Sequence, residues 1–295
     1  MINLQQGLFN KDEFHKIDSI VMRHAFDIQN ELGRFCSEKI YQSELAYRCE
    51  NDTSIFKVCT ECPLHISCKQ FSKRFKADMI INDNIIYELK TAENLAVTHQ
   101  SQLLNYLLLA DLSFAKLINF RTASVEFEYI TTNLTREKRH QVNIHNDSYN
   151  ADNQESRIFY EELCMLIDHW GAFLEISLYT DAITHVLGGE TEVIRPIEIH
   201  CRGRDVGQQR IHLIGKDAAF RISSITKFHQ SYETSLIKML SHTNLKHLHW
   251  VNFNHHNITF KTITNPSRTS LKNSLAKKCF KNSLAVNSLA KKCFK

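Results

Sequence analysis

Asp78, Glu88 and Lys90 are the residues of this chain whose types and spacing can do chemistry. They lie in Ala77-Asp78-Met79-Ile80-Ile81-Asn82-Asp83-Asn84-Ile85-Ile86-Tyr87-Glu88-Leu89-Lys90. The run reads as two short apolar strands joined by a tight turn at Asn82-Asp83-Asn84, because Asn and Asp tolerate the backbone angles of a hairpin. Strand side chains alternate between faces, so Glu88 and Lys90 project from one side and Leu89 turns into the core. Pairing of the strands brings Asp78 beside them. Two converging carboxylates repel each other unless a cation intervenes, and hard oxygen ligands suit Mg²⁺ or Mn²⁺. A metal held there polarises a phosphodiester and lowers the pKa of a bound water. Lys90 would orient that water or neutralise charge building on the phosphate. The competing reading is a strand whose exposed face carries Glu and Lys as a simple ion pair, and D-x(9)-E-x-K alone is too short to exclude it.

The flanking sequence supplies elements to position these groups. Thr98 to Leu109 has apolar residues at helical spacing, and His99, Gln102 and Tyr106 share one face of that helix. Ala115 to Phe120 reads as a buried strand and Ser124 to Ile130 as another. Ahead of the carboxylates, Asp18 to Gly33 is an amphipathic helix pattern that stops at Gly33. A second helix pattern carries Glu38, Tyr41 and Leu45.

Taken together, Gly33…Glu38-Lys39-Ile40-Tyr41, Ala77-Asp78, Glu88-Leu89-Lys90, His99-x-x-Gln102-x-x-x-Tyr106 and Leu117-Ile118-Asn119-Phe120 resemble the bacterial GxxExxY proteins, which are assigned to the PD-(D/E)xK nuclease superfamily. The resemblance covers roughly residues 15 to 132. It implies a restriction-endonuclease-like α/β fold, a mixed central sheet flanked by helices. It also implies Asp78 and Glu88 as metal ligands, Lys90 as the catalytic lysine and Gln102 as a helix residue lining the site. Glu38 matches the motif glutamate, where the superfamily often supplies a further metal ligand. The family's Gly-Pro-Gly before that glutamate is here Gly33-Arg34-Phe35, followed by Cys36-Ser37, which predicts a different N-terminal cap for the helix.

Composition sets outer bounds. At 295 residues the chain is long enough for two modest domains. A 43% hydrophobic and 23% charged composition is that of an ordinary globular protein, and a net charge of +4 allows nucleic-acid contact without arguing for it. No apolar run reaches a membrane span of about 20 residues, and Met1 to Gln6 lacks the pattern of a signal peptide, so a cytoplasmic protein without a membrane partner is expected. Nine cysteines then point to free thiols or metal ligands before disulfides. Cys59-x2-Cys62-x5-Cys68, with Cys49 upstream and Pro63 in place, resembles the spacing by which some PD-(D/E)xK nucleases hold an iron–sulfur cluster, and thiolates also suit zinc. Against a cluster, Val58 to Ile66 reads as a strand, in which Cys59 and Cys62 diverge to opposite faces unless the strand is broken.

The second half reads as a worn copy of the first. With a shift of 133, Pro63 meets Pro196, Cys68 meets Cys201, Leu103 meets Leu236, Asn119-Phe120 meets Asn252-Phe253 and Phe127 meets Phe260. Upstream, a shift of 138 sets Gly171…Leu178-Tyr179 on Gly33…Ile40-Tyr41. The same shift places Ile211 on Asp78, Arg221 on Glu88, Ser223 on Lys90 and Ser235 on Gln102, so the copy is expected to be catalytically dead. Pairing with the first half as an internal pseudo-dimer, or phosphate contacts from Arg202, Arg204, Arg210, Lys216 and Arg221, would be its remaining uses. Asn-, Asp- and Ser-rich residues around 139–157 read as a linker. His247, His249, His255 and His256 read as scattered exposed histidines rather than a metal site. The expected organisation is a nuclease-like domain over 1–138, a linker over 139–157, a degenerate repeat over 158–265 and a low-complexity tail over 266–295. In that tail Asn273 to Lys281 recurs letter for letter at Asn287 to Lys295, which predicts a disordered or marginally helical basic segment.

These residues lead to Mg²⁺- or Mn²⁺-dependent hydrolysis of nucleic acid, DNA or RNA, by Asp78, Glu88 and Lys90 with Glu38 and Gln102 in support. The rival is a nuclease-like fold kept for binding nucleic acid or protein. A third class is a cysteine-ligated metal protein.

Overall fold

The computed structural model of the chain describes residues 10–227 and 230–267, so the repetitive tail expected from 266 onward lies almost wholly outside the described residues. The chain divides into two units, residues 1–141 with 169–175 and residues 142–168 with 176–295.

The first unit starts at a capping box. The Asn10 side chain accepts the Asp12 and Glu13 N–H groups at 2.9 and 3.0 Å, and the Glu13 carboxylate takes the Asn10 N–H at 3.0 Å. Helix α1, Lys11–Leu32, follows and buries a stripe of Phe14, Asp18, Val21, Met22, Ala25, Ile28 and Gln29. It ends at Gly33, whose φ of +71° is costly for any residue with a Cβ. Helix α2, Glu38–Glu50, has Ser37 at its N-cap without a side-chain hydrogen bond. Then come β1 Val58–Cys68, β2 Phe71–Ile81, β3 Ile85–Lys90, α3 Val97–Ala110, β4 Phe114–Asn119, β5 Glu126–Thr131 and the short α4 Arg136–His140.

The five strands form a sheet in the order β1-β2-β3-β4-β5, antiparallel except for the parallel pair β3–β4. Apolar side chains on one face, among them Met79, Ile81, Tyr87, Leu89, Ile118 and Phe120, pack under α1 and α2. The opposite face packs Cys62, Leu64, Ala77, Ile80, Ile86, Ala115 and Leu117 against Leu103, Tyr106 and Leu107 of α3. Strand β3 is covered from both sides, which is why its sequence is apolar almost throughout. The Asn82-Asp83-Asn84 turn closes the β2–β3 hairpin, with φ of +52° at Asn82 and +57° at Asp83.

A buried ion pair ties α1 to the sheet. Lys116, fully buried in β4, donates to Asp18 Oδ2 at 2.5 Å, and Tyr129 donates to the same oxygen at 3.0 Å. The ammonium also lies 4.3 Å and 4.0 Å from the ring centres of Phe127 and Tyr129.

The second unit consists of β6 Asn143–Ser148, most of α5 Gln154–Trp170, α6 Ile176–Val186, α7 Glu190–Val193, β7 Ile194–Cys201, β8 Arg204–Ile214, β9 Ala218–Ser223, α8 Gln230–Ser241, β10 His247–Asn254 and β11 Asn257–Thr264. Its sheet runs β6-β11-β10-β9-β8-β7. Strands β7 to β11 repeat the order and directions of β1 to β5, including the one parallel pair at β9–β10. Strands β8 and β9 fall on β2 and β3 residue for residue at the shift of 133, and α6 begins 138 residues after α2. The register agrees as well: Arg221 pairs with Trp250 as Glu88 pairs with Leu117. Only β7–β8 departs, where a bulge between Ile199 and His200 slides the pairing by one residue.

Two sequence readings need correction here. The 139–157 stretch is not an irregular linker: β6 within it pairs in parallel with β11, and α5 begins at Gln154. An edge strand is held by backbone hydrogen bonds and can be polar along its whole length, so it left no apolar periodicity to read. Nor is His249 exposed. It is 1% accessible, hydrogen-bonded to Ser156 Oγ at 2.9 Å and Thr262 Oγ1 at 3.0 Å, and burial pushes its pKa down to about 4.

Candidate active site

Strand alternation sets Glu88 and Lys90 on the α3 face of the sheet, the face of Ile86, and turns Leu89 to the α1–α2 face. Asp78 lies one step beyond the last backbone pair of the hairpin, Met79 with Tyr87, and its Oδ2 accepts the Leu89 N–H at 2.8 Å. The acids and the amine therefore share a face, as the spacing predicted.

Lys90 Nζ donates to Glu88 Oε1 at 2.8 Å, and Gln102 Nε2, one helix away on α3, donates to the same oxygen at 3.3 Å. Gln102 also donates to Tyr106 Oη at 2.7 Å, so the two residues of the predicted helix face act as one hydrogen-bonded unit. The other carboxylate oxygen, Glu88 Oε2, is buried without a hydrogen bond of ordinary geometry, although the Asp78 N–H also acts on the carboxylate and lowers its pKa. Burial raises the pKa of Glu88 to about 7, and the charge of Asp78 pushes in the same direction against the pull of Lys90. Asp78 is itself raised, chiefly by burial, with the Leu89 N–H and Lys90 opposing. Burial works against the charge on Lys90, but Glu88 outweighs it and the amine is held more firmly protonated than usual.

Glu38 reaches this region from the first turn of α2. Burial raises its pKa, Lys90 lowers it, Asp78 raises it, and the Thr91 N–H and His99 lower it further. It does not close a ready three-ligand cage: among the described residues no group of three or more His, Cys, Asp and Glu side chains is gathered to hold a metal. His99 sits in the first turn of α3, where its Nδ1 accepts the Ala96 N–H at 3.2 Å. Tyr41 is buried and stands back from the acids. Its hydroxyl donates to Gly33 O at 2.6 Å and accepts the Cys36 N–H at 3.2 Å, so it shapes the turn that precedes Glu38.

Two positioning residues had no role assigned from the sequence: Gln42 carried no recognised signal, and Asn119 was noticed only as part of the Leu117-Ile118-Asn119-Phe120 motif. Gln42 donates to Asp78 O at 2.6 Å and to Glu61 Oε1 at 3.2 Å, gripping the backbone of a metal-ligand candidate from α2. Asn119 clamps the loop after Lys90, donating to Ala92 O at 2.7 Å and accepting the Ala92 N–H at 3.1 Å. The repeat of Asn119-Phe120 at Asn252-Phe253 was the available clue, since Asn252 bonds the Ile225 backbone in the same two ways.

The cysteines do not converge. Cys49 lies in the core under α1 and α2, and Cys62 lies in the core on the other face of the sheet. Cys59 and Cys62 are joined to each other as a disulfide, while Cys49 is a buried thiol in no disulfide and Cys68 is buried in β1. The strand is broken between the bonded pair: Glu61 has φ of +50°, so two cysteines that would diverge in a regular strand come to one side. A cluster or zinc ion ligated by these four thiols does not fit this arrangement, and the expectation of free thiols fails at Cys59 and Cys62.

An acid pair and a lysine thus meet on one sheet face, with a glutamine-bearing helix across from them. Residues 15–131 match the family model of the PD-(D/E)XK nuclease superfamily. No curated protein and no solved structure matches the chain. The matched span runs from α1 to the end of β5 and contains Glu38, Asp78, Glu88, Lys90 and Gln102. Its mixed sheet flanked by helices is consistent with a restriction-endonuclease-like fold, and the match of this span to a nuclease-superfamily model suggests nuclease-like chemistry for it. In the second half, Ile176, Ile211, Arg221, Ser223 and Ser235 occupy the places of Glu38, Asp78, Glu88, Lys90 and Gln102.

Proposed function

We propose that the nuclease-superfamily span, read as a GxxExxY-type domain, hydrolyses nucleic-acid phosphodiesters with a divalent cation bound by Asp78 and Glu88. The observation that carries this reading is the burial of Glu88 beside a second carboxylate that repels it, with Glu88 Oε2 lacking a hydrogen bond of ordinary geometry. A cation relieves both costs at once. Magnesium is commonly held by one or two carboxylates with water and phosphate oxygens completing its shell, so the lack of a third protein ligand fits Mg²⁺ or Mn²⁺. Such an ion would polarise the phosphodiester and make a bound water more acidic. Lys90, kept protonated by Glu88, supplies positive charge where the phosphate becomes more negative and does not serve as a base. Gln102 orients Glu88 and Lys90 through the shared Oε1, and Glu38 adds negative charge at the rim of the site.

The second half is, in the same reading, a degenerate copy. Matching strand order, matching register at β9–β10 and the loss of every proposed catalytic side chain support it. Its arginines and Lys216 remain candidates for phosphate contact.

The test is divalent-cation-dependent cleavage of single- and double-stranded DNA and RNA by the full chain, beside Glu88→Ala and Lys90→Ala. Loss of cleavage in both variants is expected. Equal cleavage by all three proteins would rule out this site. A binding-only module is the second reading, favoured by the Lys90–Glu88 ion pair, which already partners one acid without a metal. Calorimetric Mg²⁺ binding that depends on Asp78 separates the two.

A further inference from the structure

Phe35 is 75% exposed in the turn between α1 and α2. A lone exposed aromatic needs no explanation, but this one is held and flanked. Tyr41 fixes the turn through the Gly33 carbonyl and the Cys36 N–H, and its ring stacks on Phe120 at 4.3 Å with an interplanar angle of 8°. Gln29 braces the far side by donating to Phe120 O at 2.9 Å and Thr122 O at 3.1 Å. Two guanidinium groups lie over the exposed ring, with Arg34 Cζ 5.1 Å and Arg121 Cζ 5.8 Å from its centre. Arg121 in turn donates to Thr91 O at 3.3 Å. Thr91 follows Lys90, and its N–H is directed to Glu38. The ring therefore stands at the edge of the proposed active site, one residue away from the lysine through a single arginine.

We infer that Phe35, with Arg34 and Arg121, is a stacking platform for an unpaired nucleobase of a single-stranded nucleic acid. An exposed aromatic ring accepts any base once a guanidinium group moves off its face, and the two arginines are then placed to meet the phosphates on either side of it. A base inside a duplex has both faces stacked and cannot use such a surface, so the platform selects single strands or splayed ends. The inference deepens the nuclease reading and rests on it for where the scissile phosphate lies. The second half keeps Phe173 at the matching place but has Ala172 and Asn254 where the first has Arg34 and Arg121. The guanidinium pair, like the acids, belongs to the first half alone.

The experiment measures binding in a Glu88→Ala background of the full chain, where nothing is cut, using labelled oligothymidine, oligouridine and a mixed-sequence duplex. Phe35→Ala is expected to weaken single-strand binding about 5- to 150-fold, the usual range for one stacked base, and to leave duplex binding unchanged. Phe35→Trp is expected to retain affinity, with its emission quenched by the single strand. Arg121→Gln should weaken binding and flatten its salt dependence. Single-strand binding by Phe35→Ala equal to that of its parent would overturn the inference, as would an equal loss on strand and duplex or no single-strand binding by the parent. Cleavage by the native chain is scored separately. If it is absent while the Phe35 effect persists, the platform stands and the nuclease reading fails; cleavage with no Phe35 effect gives the reverse. The oligothymidine and oligouridine arms distinguish DNA from RNA.

Discussion

Glu88 and Arg221 hold the same position in two sheets: each is the fourth residue of its strand, opposite Leu117 in one case and Trp250 in the other. One is buried beside a second acid, whereas the other is exposed and donates to Tyr232 Oη at 2.7 Å. Glu88→Ala is therefore expected to lower cleavage by about 100-fold or more, as loss of a group that stabilises transition-state charge commonly does. Arg221→Ala should leave the rate per bound substrate unchanged and alter stability by less than about 0.5 kcal/mol. Single-turnover assays with denaturant melts check both.

The raised pKa of Glu88 makes metal binding depend on pH. A cation must displace the proton, so apparent Mg²⁺ affinity should rise by about tenfold per pH unit up to about 7 and level off above it. Stability without metal runs the other way. Between its ordinary 4.5 and about 7, the folded protein holds a proton on Glu88 that the unfolded chain has lost. The stability contributed by this group is thus present below 4.5 and declines as pH rises, by at most about 1.4 kcal/mol per unit. Glu88→Gln should remove this slope and the metal binding together, as read by calorimetry and by urea melts at pH 5 and 8 without metal.

The buried Lys116–Asp18 pair offers a test of the duplication. At shifts of 138 and 133, Asp18, Lys116 and Tyr129 become Ser156, His249 and Thr262, which are also hydrogen-bonded together, but through the central His249 rather than through the Asp18 position and without a formal charge pair. Lys116→Ala is expected to cost about 3–5 kcal/mol, because it leaves a buried carboxylate unpaired. Lys116→His alone should also be costly. The combination of Asp18→Ser, Lys116→His and Tyr129→Thr should recover part of that loss in denaturant melts, since it installs the neutral network of the second half. No recovery over the single variant would count against a common origin for the two arrangements.

Cysteine chemistry gives a further check. Iodoacetamide applied to the folded protein should leave Cys59 and Cys62 unmodified until a reductant is added. Cys49, whose thiol is pushed up to about 12 by burial, should resist alkylation until the chain unfolds. Peptide mass spectrometry reads both outcomes. The preparation is expected to be colourless and free of stoichiometric iron and zinc.

Much of the first unit was legible in residue order because its signals are local. The Asn82-Asp83-Asn84 turn, the alternation that sets Glu88 and Lys90 on one face and the helical spacing of Gln102 with Tyr106 each depend on neighbours within a few residues. Polar β6 escaped notice because edge pairing requires backbone hydrogen bonds and no apolar face. The Cys59–Cys62 bond escaped because a single kink at Glu61 reverses the outcome of strand alternation.

By itself, residue order determined which side chains could act, the hairpin that carries them and the letter pattern shared by the two halves, since covalent spacing and backbone periodicity suffice for these. Only the tertiary structure decided that Lys116 meets Asp18 from 98 positions away, that Glu88 is buried beside a second acid and that Arg121 stands over Phe35. Those relationships depend on how separate elements pack and on what burial does to a charge, and neither is encoded in the spacing of any one segment.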